Sequence, residues 1–254
     1  MRRHSRSYDR IDYGFDAPGV MIGIGLTAVA TVLLAIGVGA IANRNVIFKA
    51  LAITAGLVSC VFGFLFSCML AYGKVGKTRE RDRMISLVDW RGDEHVLDIG
   101  TGSGLLLIAA AKKLDTGRAV GIDVWRAEDL TDNNLERLMA NASLEGVADK
   151  IQVLTQDARK LSFPDESFDV VLSTFCIHNI EPKDQQIEAC KEIARVLRPG
   201  GRAVIADYIP THTYAESFRQ AGLTVHFSKP DCLRALGPMW VVLAEKPLSS
   251  EQPK

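Results

Sequence analysis

What the chain lacks narrows its function before any motif is read. It has five cysteines in 254 residues, at positions 60, 68, 176, 190 and 232. None forms a C-x-x-C pair or a Cys/His spacing that seats zinc, and there is no disulfide framework. Reduced thiols in a cytosolic domain are the plain expectation, and nothing calls for a metal. Charge of either sign is not in excess: 30 basic residues balance 30 acidic ones, so no nucleic-acid partner is expected. No internal repeat is evident.

Two stretches lack charge altogether. Val20 to Ala42 and Ala50 to Tyr72 are each uncharged over 23 positions. As helices they would span about 34 Å, against a hydrocarbon core of about 30 Å. Two such runs in tandem, separated by Asn43 to Lys49, predict a transmembrane hairpin. A signal peptide is disfavoured, because its apolar core runs only about 7–15 residues and a second span follows here. Arg2, Arg3, Arg6 and Arg10 precede the hairpin, and Lys74, Lys77, Arg79, Arg81 and Arg83 follow it. Its turn has only Arg44 and Lys49. Positive-inside counting then puts both termini and the following domain in the cytoplasm. Gly19-x-x-x-Gly23 offers a helix contact face at the membrane edge, but the oligomeric state stays open. The sequence thus divides into a polar flank (1–19), two spans (20–42 and 50–72), a large domain (77–247) and a polar tail (248–254).

The domain is organised around Val96-Leu97-Asp98-Ile99-Gly100-Thr101-Gly102-Ser103-Gly104. A short apolar strand enters a turn with three alternate glycines, and Leu105 to Lys113 follow as a helix. Such a turn presents backbone N–H groups closely to a ligand. Its G-x-G-x-G spacing matches neither the dinucleotide fingerprint nor the phosphate loop, and it has no lysine. Asp98 at the strand tip would repel a pyrophosphate and welcome an amino-bearing ligand. Asp123 ends the next strand, Ala119 to Asp123, where a carboxylate accepts hydrogen bonds from ribose hydroxyls. A nucleoside without phosphates, carrying an amino acid, fits both: S-adenosylmethionine.

At these residues, and again at Phe163-Pro164-Asp165-Glu166-Ser167-Phe168-Asp169-Val170-Val171 and Arg195-Val196-Leu197-Arg198-Pro199-Gly200-Gly201-Arg202, the chain resembles the class I S-adenosylmethionine-dependent methyltransferases. The resemblance covers roughly Lys77 to Pro247. It is nearest to the small-molecule type that includes the ubiquinone/menaquinone C-methyltransferases. It implies an α/β fold: a Rossmann-like seven-stranded sheet with helices on both faces. The cofactor would be held by Asp98, Gly100, Thr101, Gly102, Gly104 and Asp123, with either Val124 or Trp125 against the adenine. Asp157 would accept from the adenine amino group, with the backbone at Ala158 beside it, and Thr174 and Phe175 would lie along the methionine part.

For the chemistry, His178 is the candidate general base, since its ordinary pKa lies near neutrality; the alternative is that it orders its loop. Asp207 and Tyr208, at the end of the fifth strand, would position an acceptor, though Asp207 would equally cap a turn. Cys176 is a further nucleophile in reach, without any sign of a lowered pKa. Gly76 to Trp90 reads as a basic helix that covers the cofactor, touches lipid headgroups or simply lies on the surface. Ala127 to Glu145 and Pro182 to Leu197 read as helices. Asn141-Ala142-Ser143 fits a glycosylation pattern that a cytosolic face would leave unused. The expected activity is methyl transfer to a small acceptor, apolar or lipid-like by virtue of the membrane nearby. The alternatives are a protein methyltransferase acting on a membrane neighbour and a non-catalytic cofactor-binding module.

Overall fold

The computed structural model describes residues 8–42, 45–208, 211–227 and 239–248. Arg2, Arg3, Arg6, Arg44, Cys232 and the tail beyond 248 lie outside them.

Helices α1 (Pro18–Ile41) and α2 (Val46–Ala71) pack antiparallel as a hairpin. Both are long and apolar enough to cross a membrane, and almost none of either is buried within the protein. Pro18 opens α1 at the position where a missing N–H costs nothing. α2 begins four residues before the uncharged run, because the Asn45 side chain accepts from Ile47 N (2.9 Å) and Phe48 N (3.4 Å) and so caps it. Their polar side chains are satisfied internally. Thr27 and Ser67 donate back to carbonyls four residues earlier, and Ser59 Oγ donates across the hairpin to Ala28 O (2.8 Å). The close helix approach is Gly25 against the Phe66 ring; Gly19 and Gly23 touch nothing that a Cβ would meet. α2 passes through a π-helical turn, Tyr72–Gly76, into α3 (Lys77–Ser86).

The domain then alternates strands and helices: β1 (His95–Ile99), α4 (Leu105–Ala111), β2 (Arg118–Asp123), α5 (Leu135–Leu144), β3 (Ile151–Thr155), β4 (Phe168–Thr174), α6 (Asp184–Val196), β5 (Leu197–Asp207), α7 (His212–Gln220), β6 (Thr224–Phe227) and β7 (Trp240–Glu245). The seven strands form one sheet in the order β3-β2-β1-β4-β5-β7-β6. β3 to β5 pair in parallel, and β7 runs antiparallel to both β5 and β6. Strand residues alternate between two cores. Leu97, Ile99, Val171, Ala203 and Ile205 pack towards α6 and α7. Val96, Val170, Leu172, Val204 and Ala206 pack towards α3 and α4. Burial on both faces is why these strands read as continuous apolar runs.

One expectation needs correction. The helix over Ala127 to Glu145 is only α5: Asn134 accepts from Arg137 N (2.8 Å) and caps it, leaving the stretch before it irregular. Residues 8–17 lie as a strap across the domain. Asn141 accepts from Asp12 N (3.1 Å) and donates to Asp12 O (2.8 Å) and Ser103 O (2.9 Å). Ser103 Oγ donates to Tyr13 O (2.9 Å), and Asp16 forms an antiparallel bridge with Leu130, in which Thr131 N donates to Phe15 O (3.0 Å) and Ala17 N to Asp129 O (2.8 Å). The sequon asparagine is thus fully buried and structural.

Candidate functional site

The site lies at the carboxyl ends of β1, β2 and β4, where the strand order reverses between β1 and β4, the usual ligand crevice of such sheets. The turn after β1 is set by Gly100, Gly102 and Gly104, all at positive φ. Gly100 N and Thr101 N donate to Ile122 O (2.9 and 3.0 Å), tying the turn to β2. A Cβ on Gly100 would come within 2.4 Å of Cys176 Sγ, so that position requires glycine for space as well as for φ. Asp123 accepts from Gly102 N (2.8 Å) on one carboxylate oxygen and from Trp125 N (2.7 Å) on the other. Each oxygen keeps a second lone pair, and the residue lines a cavity.

That cavity gathers Gly100, Gly102, Asp123, Val124, Asp157, Ala158, Thr174 and Phe175 from the sequence reading. Others of the expected set stand outside its wall. Asp98 is buried beneath the turn, where Oδ2 accepts from Leu107 N (3.0 Å) at the start of α4. Burial raises its pKa from the ordinary 3.8 to about 7, against the pull of the Thr101 hydroxyl and the Leu107 amide. Thr101 is buried with its side chain near Gly121, and Gly104 heads α4 against Ile108 and Leu138. Trp125 points its indole N–H at Thr155 Oγ1 (2.9 Å), leaving Val124 as the cavity residue of the pair. Asp157 is held by Arg159, whose backbone N and guanidinium both donate to it; these bonds lower its pKa.

The sequence reading missed Asn133. Its Nδ2 donates to Arg126 O (2.9 Å), which leaves Oδ1 buried without a hydrogen-bond partner at the cavity wall. A buried unpaired acceptor is costly unless a ligand donates to it. Asx capping chemistry in this loop was the one available signal. Asp16 and Asp129, from the strap and its partner loop, also line the cavity. Burial raises Asp129's pKa. Burial, and then Asp123 and neighbouring carboxylates, push the Cys176 thiol above its usual range, so its surroundings do not activate it as a nucleophile.

A second cavity of about 580 Å³ abuts the first, sharing Asp16, Asp129, Phe175 and Asn179. Phe175, at positive φ, stands between them, with Tyr72 (5.3 Å between ring centroids) and Tyr208 (5.8 Å) edge-on to it. His178 and Tyr208 line this second space. His178 Nδ1 is 2.9 Å from Asp207 Oδ1, outside hydrogen-bond geometry. Asp207 is fully buried and also accepts from Tyr208 N (2.9 Å), His178 N (3.3 Å) and Tyr214 OH (3.3 Å). It therefore lies beneath the histidine rather than in the cavity wall. Among the described residues no cluster of His, Cys, Asp or Glu could hold a metal ion.

The sheet order and the glycine turn facing a ribose-type carboxylate define a Rossmann-like domain of the methyltransferase kind. Comparisons agree. Residues 96–201 match the family model described as "Methyltransferase domain". The 27-O-demethylrifamycin SV methyltransferase of Amycolatopsis mediterranei (strain S699) is 33% identical over 132 residues, covering 52% of this chain and 45% of that enzyme. The ubiquinone/menaquinone biosynthesis C-methyltransferase UbiE of Pseudomonas entomophila (strain L48) is 35% identical over 125 residues, covering 49% and 45%. The chain thus spans about half the length of the curated relatives it matches. A SAM-dependent methyltransferase from Aquifex aeolicus shares the fold, with a TM-score of 0.51 at 18% identity, over 65% of this chain and 88% of that one. The chain carries a class I S-adenosylmethionine-dependent methyltransferase domain, and S-adenosylmethionine is the cofactor of that domain.

Proposed function

We propose that the protein transfers a methyl group from S-adenosylmethionine to a small apolar or lipid-like acceptor at a membrane. The observation that carries this is the pair of cavities meeting at Phe175, one walled by nucleoside-binding chemistry and the other largely apolar. The residues present fit the cofactor. Asp123 has acceptor capacity left for ribose hydroxyls, and Asn133 Oδ1 waits for a donor. Gly100 and Gly102 permit close approach. Asp16 and Asp129 give the junction a negative wall suited to a cation. When bound, the cofactor supplies an electrophilic methyl group.

The chain's own residues would do the rest. Phe175, Tyr72 and Tyr208 exclude water from the junction and align the acceptor. His178, oriented from below by Asp207, receives the acceptor's proton on the nitrogen facing away from that carboxylate. α1 and α2 span the bilayer with both ends and the domain on the cytoplasmic face; their exposed apolar surface and the flanking Lys and Arg support this.

The test is to incubate the full chain in bilayer nanodiscs with methyl-labelled S-adenosylmethionine and host lipid extract. Label in the organic phase is the expected result. Label recovered only in protein, or no release of S-adenosylhomocysteine, overturns it.

A further inference from the structure

We infer that the membrane hairpin is part of the acceptor site. The facing ends of α1 and α2 form a slot for the hydrocarbon portion of the acceptor. This rests on the methyl-transfer reading and deepens it. The second cavity is walled on the domain side by Phe175, His178 and Tyr208, and on the hairpin side by half-buried Met21 and Ile24 of α1 and Cys68 and Met69 of α2. Ile24 is the seventh residue of α1, so the space reaches about 9 Å along the span at 1.5 Å per residue. Its volume lies in the range of sites that enclose small organic ligands.

The slot is held against the domain by specific contacts. Lys77 Nζ, buried just after α2, donates to Tyr13 O (2.8 Å) and pairs with Asp16 (3.4 Å) just before α1. Phe15 packs on Gly73 so closely that a Cβ there would be 2.4 Å from its ring. Tyr72, the residue that ends α2, touches the Phe175 ring. Two spans serving only as a tether would need none of this.

The wall also states what the occupant carries. Its charged residues at the domain end are Glu128, Asp129 and Asp16, the last already paired with Lys77, and among the described residues no Lys or Arg lines it. A phosphate or carboxylate head has no partner there and meets like charge; an uncharged or cationic head does not. The occupant is therefore an aliphatic chain with a non-anionic head.

The probe is dodecanol bearing a photoactivatable diazirine, with the full chain in nanodiscs and labelled sites read by mass spectrometry. Bulk lipid contact labels the outward residues Ile22 and Phe64 in proportion to dose. The slot predicts saturable labelling at Met21, Cys68 and Met69, reduced at least fivefold by excess dodecanol and unchanged by dodecyl phosphate. Met21→Trp, which fills the slot, should abolish the competed labelling at Cys68 while calorimetry shows cofactor affinity within twofold. Uniform labelling around both helices, equal competition by dodecyl phosphate, or an unaffected Met21→Trp overturns the proposal. Saturable labelling without methyl transfer to any extract component would leave the slot standing and remove the methyl-transfer reading.

Discussion

The cavity proposed for the cofactor and the one proposed for the acceptor meet at one phenyl ring and are built in different ways. The first is assembled from neighbouring strand ends: Asp123 and Thr174 close β2 and β4, Gly100 follows β1, and Asp157 lies two residues past β3. Its shape follows from the sheet. The second draws on parts remote in sequence: the strap, the starts and ends of two apolar helices, the loop after β4 and the tip of β5. Its shape depends on the hairpin staying docked. The cofactor half should therefore tolerate loss of the membrane, and the acceptor half should not.

Substitutions can separate the two halves. The largest effect is expected at His178. His178→Gln should lower kcat about 10²–10⁴-fold, the usual contribution of a general base, while calorimetry finds cofactor affinity unchanged. A normal kcat would return the histidine to ordering its loop. Gly100→Ala should cost about 3 kcal/mol of stability, from strain at φ +71 together with the clash on Cys176. Gly56→Ala in α2, where a Cβ meets nothing, should be neutral or stabilise by a few tenths to about 1 kcal/mol; denaturant melts of both compare domain with hairpin. Asp123→Ala should weaken cofactor binding by about 1–3 kcal/mol without altering the acceptor KM. An unchanged dissociation constant would take Asp123 out of the pocket.

The smallest effect concerns pH. Asp98 has a native pKa of about 7, above its ordinary 3.8, so the native state retains a proton that the unfolded chain gives up. Its stabilising contribution is full below about pH 4 and is lost as pH rises through 7. Between pH 6 and 7.5 the decline should be on the order of 1 kcal/mol. Asp98→Asn should flatten the pH dependence of Tm in that window; an unaltered slope would refute the assignment.

The difference between the halves also explains what could be read from the sequence. Glycines at alternate positions, an acid ending β2 and apolar strands are local patterns, and most of the residues they picked out line one cavity. The setting of Asp98 was not legible because a strand tip has two sides: this carboxylate turns under the loop to the Leu107 amide of α4. Trp125 was indistinguishable from Val124 until the positive φ at Trp125 fixed which one faced the cavity. Tyr72, Asp16 and Met21 carried no signal at all. Their proximity to His178 or Phe175 is created by tertiary packing, and an apolar span reads the same whether it faces lipid or a ligand.

The strap has a consequence for how the protein is made. Asp12 is synthesised long before its partner Asn141, 129 positions later in the chain, and the two spans lie between them. The strap is thus seated only after the residues that hold it have been made. On the proposed topology, it is seated only when the hairpin has inserted with both feet on the side where the domain folds. Completion of the glycine turn's outer cover would in this way report on membrane integration.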